Sequence, residues 1–207
     1  MLKPRCQVTG KDPIQILTRA VEAKSGSSSD FDLNPDVVLP PNRTLRPAAV
    51  LVAVIEGFSG LDVILTKRSS HLKHHPGQIA FPGGKQDETD PTLAATALRE
   101  SKEEIGLPSD RVEIIGELPS HETVTGFRVS PVVAWVHSEF AAIAEPGEVE
   151  EIFRVPLEHV TNPQNFLIQS RQWRGMRRHY YTVPFGPYYI WGATARILRG
   201  LADRVSL

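Results

Sequence analysis

The chain has 207 residues, 41% of them hydrophobic, and a formal net charge of −1. That length and apolar content can bury one sizeable core, and the near-neutral charge supplies no global field to recruit nucleic acid or an anionic membrane. The longest obvious apolar stretch, Ala48 to Ile55, falls far short of a membrane span, and the single cysteine, Cys6, allows no internal disulfide and fits a reducing compartment.

In chain order, Asp12-Pro13 predicts a short helix to about Ala23. Ser25 to Ser29, with Gly26 inside it, reads as a flexible linker. Residues 34–47, with Pro35, Pro40, Pro41 and Pro47, read as an extended arm. The expected organisation is therefore a helix and arm over 1–45 and one domain over 46–207. The N-terminus lacks a signal-peptide core, and Lys3, Arg5, Lys11 and Arg19 are the only trace of a transit peptide, so a cytoplasmic location is expected. Ala48 to Glu56 and Val63 to Arg68 predict strands joined by a turn over Gly57 to Asp62. A helix is predicted from Pro91 to Ile105, with Asp90 as N-cap and Gly106 closing it in the left-handed conformation. Further strands are expected at Val112 to Leu118, Val129 to Val136 and Glu150 to Val155, and an edge strand at Arg177 to Val183. Ala193, Ile197 and Leu201 give the i, i+4, i+8 stripe of a closing helix over Trp191 to Arg204. This order suggests an α/β fold, a mixed sheet with helices on both faces.

The informative segment is Gly83 to Leu107, GGKQDETDPTLAATALRESKEEIGL. Positions i, i+3 and i+4 of a helix share one face, so Glu100, Glu103 and Glu104 lie within an arc of roughly 100°. Such carboxylates repel one another unless a cation lies between them, and oxygen donors without His or Cys favour Mg²⁺ or Mn²⁺ over zinc. With Glu100 as zero, Ala94, Leu98 and Ile105 fall near roughly 120°, 160° and 140°, an apolar stripe facing away from the acidic one. Arg99 lies one turn from Glu103 and can orient it. Most paired glutamates on helices are merely solvated; the glycine turn immediately upstream argues for a site. His71, His74, His75 and His121 show no zinc-ligand spacing, and nothing near Cys6 would activate it as a nucleophile.

These residues resemble the box of the Nudix hydrolases, which cleave a nucleoside diphosphate linked to another group. Gly84, Arg99, Glu100, Glu103, Glu104, Gly106 and Leu107 match it. Three features depart: Asp90 stands where a Glu is expected, eight residues rather than seven separate it from Arg99, and Ser101 replaces an apolar residue. Upstream, Thr66, Arg68, Ser69, Gly77, Phe81, Pro82, Gly83 and Gly84 fit in register the signature of coenzyme A pyrophosphatases, with Ile64 for Leu and Lys73 for Arg. Lys73 keeps the charge but lacks the bidentate fork of Arg. The tail Tyr188 to Arg199 also resembles the closing helix of that branch, so the likeness covers about residues 46–204.

The resemblance implies a Nudix fold and a Mg²⁺- or Mn²⁺-dependent hydrolase that cuts coenzyme A or acyl-CoA at the pyrophosphate. Glu100, Glu104 and Glu103, with the backbone at Gly84, are the expected metal site. Arg99 positions Glu103, and the general base is Glu103 or one of Glu148, Glu150 and Glu151. Arg68, Lys73, His74, Gly77 and Phe81 are the expected substrate contacts, and the cationic and aromatic run Arg171 to Tyr181 can stack on adenine. ADP-ribose, a nucleoside triphosphate, or a catalytically inactive nucleotide-binding domain are the alternatives. The expected partner is a small molecule, with no nucleic acid and no membrane, and the sequence leaves room for a homodimer.

Overall fold

A computed structural model describes residues 12–40, 42–173 and 175–205; the readings made on Cys6, Lys3, Arg5, Lys11 and Pro41 lie outside them. In chain order the elements are α1 (Pro13–Glu22), β1 (Ser28–Ser29), β2 (Arg46–Glu56), β3 (Leu61–Arg68), β4 (Ile79–Ala80), β5 (Gly83–Lys85), α2 (Leu93–Ile105), β6 (Val112–Glu117), β7 (His121–Glu122), β8 (Phe127–Val136), β9 (Val149–Pro156), α3 (Leu157–Thr161), β10 (Leu167–Trp173), β11 (Met176–Thr182) and α4 (Ala193–Val205). Among the described residues, no helix is long and apolar enough to cross a membrane.

β2 is apolar at nearly every position because both of its faces are covered. It runs parallel to β8 from Arg46↔Phe127 to Ile55↔Val136 and antiparallel to β3 and β5. β9 lies along the far edge of β3. Alternation then sorts the side chains. Ala49, Leu51, Ala53 and Ile55 pack with Ala97 and Ile105 of α2 on one face. Ala48, Val52 and Val54 pack with Leu17 and Ala20 of α1 and Leu198 and Leu201 of α4 on the other. A mixed sheet between helices, the expected α/β class, is what results.

The N-terminal segment is less free than its serines imply. Ser28–Ser29 pairs in parallel with β7, so the flexible-linker reading of Ser25 to Ser29 is corrected. His121 is fully buried; Ser28 Oγ lies 2.9 Å from its Nδ1 and Asp30 Oδ1 3.1 Å from its Nε2. The Asn34 side chain accepts from His179 N–H at 2.8 Å and donates to His179 O at 2.9 Å, completing the outer edge of β11 as a strand would. Arg204, on α4, is buried and donates to the carbonyls of Ala20 and Ala23, closing the C-terminal end of α1.

Two predicted boundaries move. α2 starts at Leu93 with Thr92 as cap, its Oγ1 accepting from Ala95 N–H at 3.1 Å, so neither Asp90 nor Pro91 opens the helix. α4 starts at Ala193, leaving Trp191 in a bridge to Thr182 and outside the helix. The predicted edge strand at Arg177 to Val183 is present as β11, but its partner β10 is an addition.

Candidate active site

The carboxylate face of α2 is not opposed to its buried face. Thr96, Ala97, Ser101, Glu104 and Ile105 are the buried positions, so the core-facing stripe is rotated toward Glu104 relative to the Ala94–Leu98–Ile105 stripe read from the sequence. Ser101 is accommodated because its hydroxyl donates back to Ala97 O at 2.7 Å. Gly106, at φ 69°, ends the helix, its N–H bonding Lys102 O.

Glu104 is only 4% exposed. Burial pushes its carboxyl up to about 7; the Gly83 N–H, which it accepts at 3.0 Å, opposes the rise, Glu100 and Glu148 add to it, and Arg68 moderates it. Glu100 is raised as well, first by burial, with Arg99 opposing and Glu103 and Glu148 adding. Gly84 faces Glu100 so closely that a Cβ there would lie 2.5 Å from Oε1. A glycine is therefore required for the turn and the carboxylate to share this space.

Arg99 organises the outer side of this face. Its Nε and Nη2 donate to Asp90 Oδ1 and Oδ2 at 3.0 and 2.8 Å, and its Nη1 donates to both Glu100 and Glu103 at 3.0 Å. The Asp90 side chain is 6% exposed, and the hydrogen bonds from Arg99 hold its carboxyl far below the usual range. Asp90 thus serves Arg99 instead of the helix end. The sequence carried a signal for this, an acid at the position of the expected Glu, masked by the one-residue change in spacing.

Two loops close over the carboxylates. Ile143 N–H and Glu145 N–H donate to Ile105 O and Glu104 O, fastening the segment after β8 to the end of α2 and carrying Glu148 into the field of Glu100 and Glu104. Ser69 N–H donates to Glu148 O at 2.8 Å, tying on the 69–78 loop. A bulge at Lys67/Arg68 re-aims the chain here. Of the three later glutamates, Glu150 is held by Lys67 Nζ at 2.6 Å and Ser70 N–H at 3.2 Å, and Glu151 accepts from the Tyr188 hydroxyl. Glu148 is the one whose charge acts on the α2 pair.

The expected substrate contacts divide. Arg68 is half-buried and lies in the field of Glu104, whereas Lys73 and His74 are exposed on the loop beyond it. Gly77, at φ 68°, turns the chain back, its N–H bonding Arg68 O. Phe81, expected as a substrate contact, is 3% exposed and packs in the core, where its ring supports the fold just ahead of the Gly83–Gly84 turn.

Among the described residues, no three carboxylate, imidazole or thiol groups converge into a cage as they stand; Glu100 and Glu103 are both drawn onto Arg99. The donor chemistry nevertheless fits a hard divalent cation. Glu104 is buried and Glu100 half-buried, the charge of Glu100 acts against that of Glu104, and Gly84 has no side chain to crowd the Glu100 oxygens.

The family profile described as NUDIX domain matches residues 45–177. The chain belongs to the Nudix family. It is 40% identical over 162 residues to a protein of Enterobacter sp. (strain 638) named uncharacterized Nudix hydrolase NudL, covering 78% of this chain and 84% of the other. It is 39% identical, with the same coverage, to the protein of that name from Salmonella paratyphi B. The crystal structure of a MutT/nudix family protein from Enterococcus faecalis shares the fold, with a TM-score of 0.52 and 18% identity over 83% of this chain and 66% of that one.

Proposed function

We propose that this Nudix hydrolase cuts coenzyme A or acyl-CoA at the diphosphate, giving 4′-phosphopantetheine or its acyl form and adenosine 3′,5′-bisphosphate. The observation that carries the reading is that the cationic loop and the carboxylates meet. Arg68 acts on Glu104, and Ser69 bonds the backbone of Glu148. A substrate bringing a diphosphate and a further phosphate on its ribose needs both, and the fit of Thr66 to Gly84 to the coenzyme A pyrophosphatase signature supports the same choice.

Glu100 and Glu104, with Glu103 and the carbonyl side of Gly84, would hold Mg²⁺ or Mn²⁺. When bound, such an ion neutralises the diphosphate and acidifies a nearby water. Glu148 is the base that takes the proton of the attacking water, since Glu150 and Glu151 are engaged by Lys67 and Tyr188. Arg99 keeps Glu100 and Glu103 aligned and so is a positioning residue. Arg68, with Lys73 and His74 beyond it, meets the phosphates, and Gly77 shapes the loop that presents them.

The test is hydrolysis with Mg²⁺ over a panel of coenzyme A, acyl-CoA, ADP-ribose and nucleoside triphosphates, products resolved by chromatography. Coenzyme A or acyl-CoA is expected to give the highest kcat/KM. Preference for ADP-ribose would overturn the assignment.

A further inference from the structure

A second cluster stands beside this site, and the hydrolytic steps proposed above do not use it. Arg171 on β10 sets its guanidinium carbon 4.7 Å over the ring of Trp191. Tyr180 on β11 meets the same indole edge-on, with centroids 5.3 Å apart and planes at 61°. The hydroxyls of Tyr180 and Tyr189 are 3.5 Å apart, and Tyr189 is 44% exposed. Trp191 and Tyr180 are only half-buried and Arg171 is exposed.

The position of the cluster is fixed from two sides. Trp191 precedes Gly192, at φ 65°, where a Cβ would come within 3.7 Å of Gln78 Nε2. Thr194 Oγ1 donates to Ile79 O at 3.0 Å, and Gln78 O accepts from Arg68 N–H at 3.0 Å. On the other side, Tyr188 stacks on Phe153 at 3.6 Å and its hydroxyl donates to Glu151, two residues past the start of β9. The stretch from Tyr188 to Thr194 is thus bolted to both the Arg68 loop and the Glu148–Glu151 segment.

We propose that Trp191, Tyr189 and Tyr180, with Arg171 braced on the indole, form the subsite for the purine base of the substrate nucleotide. Flat π surfaces and a stacked guanidinium take a base face to face, and the tyrosine hydroxyls offer hydrogen bonds to its edge. The distance from the diphosphate site is bridged by the Gln78 and Arg68 loop, which is where ribose and its phosphate would lie. The inference rests on reading the neighbouring carboxylates as a nucleotide site, but not on which adenine nucleotide is cut.

The experiment is calorimetric titration of AMP and of ribose 5-phosphate, which lacks the base, into the full chain with Mg²⁺ present. The unaltered protein is expected to bind AMP more tightly. Trp191→Leu and the surface variant Tyr189→Ala should each weaken AMP by about five- to a hundredfold while ribose 5-phosphate stays within about twofold. Circular dichroism confirms folding, and Tyr189→Ala carries the test if Trp191→Leu does not fold. Equal affinity for the two compounds in the unaltered protein, or unchanged AMP binding in folded Tyr189→Ala, overturns the subsite alone. Binding of neither compound overturns the nucleotide reading with it.

Discussion

Asp90 grips Arg99 with two parallel contacts, Oδ1 to Nε at 3.0 Å and Oδ2 to Nη2 at 2.8 Å, which leaves Nη1 free to bridge Glu100 and Glu103. A planar guanidinium fixed on one edge cannot swing, so the acid upstream of the helix sets the direction of two glutamates on it. Asp90→Asn is expected to lower turnover by about ten- to a hundredfold, because small misplacements of catalytic groups carry costs of that order. Initial rates and a melting curve check this; an unaltered rate in a folded variant removes Asp90 from the positioning set.

Glu104→Gln should reduce turnover by orders of magnitude with the fold intact, since the amide is nearly isosteric and retains an oxygen for the Gly83 N–H. The measurement is single-turnover hydrolysis beside a circular dichroism spectrum. Activity equal to that of the unaltered chain would exclude Glu104 as a ligand.

The same residue predicts a pH dependence. Burial lifts Glu104 to about 7, against about 4.3 for an exposed glutamate. Between those values the folded chain holds a proton that the unfolded chain has released. This group's contribution to stability therefore falls as pH rises through the window and levels off above it. In a chelating buffer, the melting temperature of Glu104→Gln should gain on that of the unaltered chain from pH 5 to pH 7.5, and Mg²⁺ should restore the unaltered chain alone. A difference independent of pH would contradict the burial argument.

Gly83 and Gly84 are adjacent but should fail differently. A Cβ at Gly84 meets the carboxylate end of Glu100, which can move aside, so Gly84→Ala is expected to fold and lose activity. A Cβ at Gly83 lies 2.4 Å from Ala49 O and 2.6 Å from Val50 Cα, which cannot move without breaking the strand pair. Gly83→Ala should therefore lower the melting temperature by several degrees. Matching losses of stability in the two variants would refute the distinction.

His121→Ala should destabilise the chain by about 3 kcal/mol, because it opens a cavity and leaves Ser28 and Asp30 without their buried partner. Urea denaturation measures it. A change below about 1 kcal/mol would mean that the Ser28–His121–Asp30 chain carries little of the fold.

Long periodic segments were legible in the residues. The apolar run of β2, the acidic turn and glycine stop of α2, and the i, i+4 stripe of α4 all express their environments locally. Pairings made by distant residues were not. β10 reads Leu-Ile-Gln-Ser-Arg-Gln-Trp, with no alternation to mark a strand, and exists through its register with β11. Thr92 and Asp90 are both good caps by type, and only the position of Arg99 in space decides that Asp90 goes elsewhere. Phe81 sits inside a functional motif yet is a core residue, since a motif does not distinguish a contact from its support. Glu148 could not be separated from Glu150 and Glu151 until their side-chain partners were visible.

The seam between α1 and α4, locked by Arg204, bears on how the chain can be dissected. Leu17 and Ala20 ahead of the matched segment 45–177, and Val183, Ile190, Leu198 and Leu201 after it, fill the same interior as Val52, Val63 and Val133 within it. Trimming to the recognisable family segment would remove α1 and α4 from one side of the sheet and leave Leu157, Val160 and Phe166 covering only part of it. Because α1 and α4 interlock outside the motif-bearing segment, a stable fragment is expected to reach past its borders on both sides.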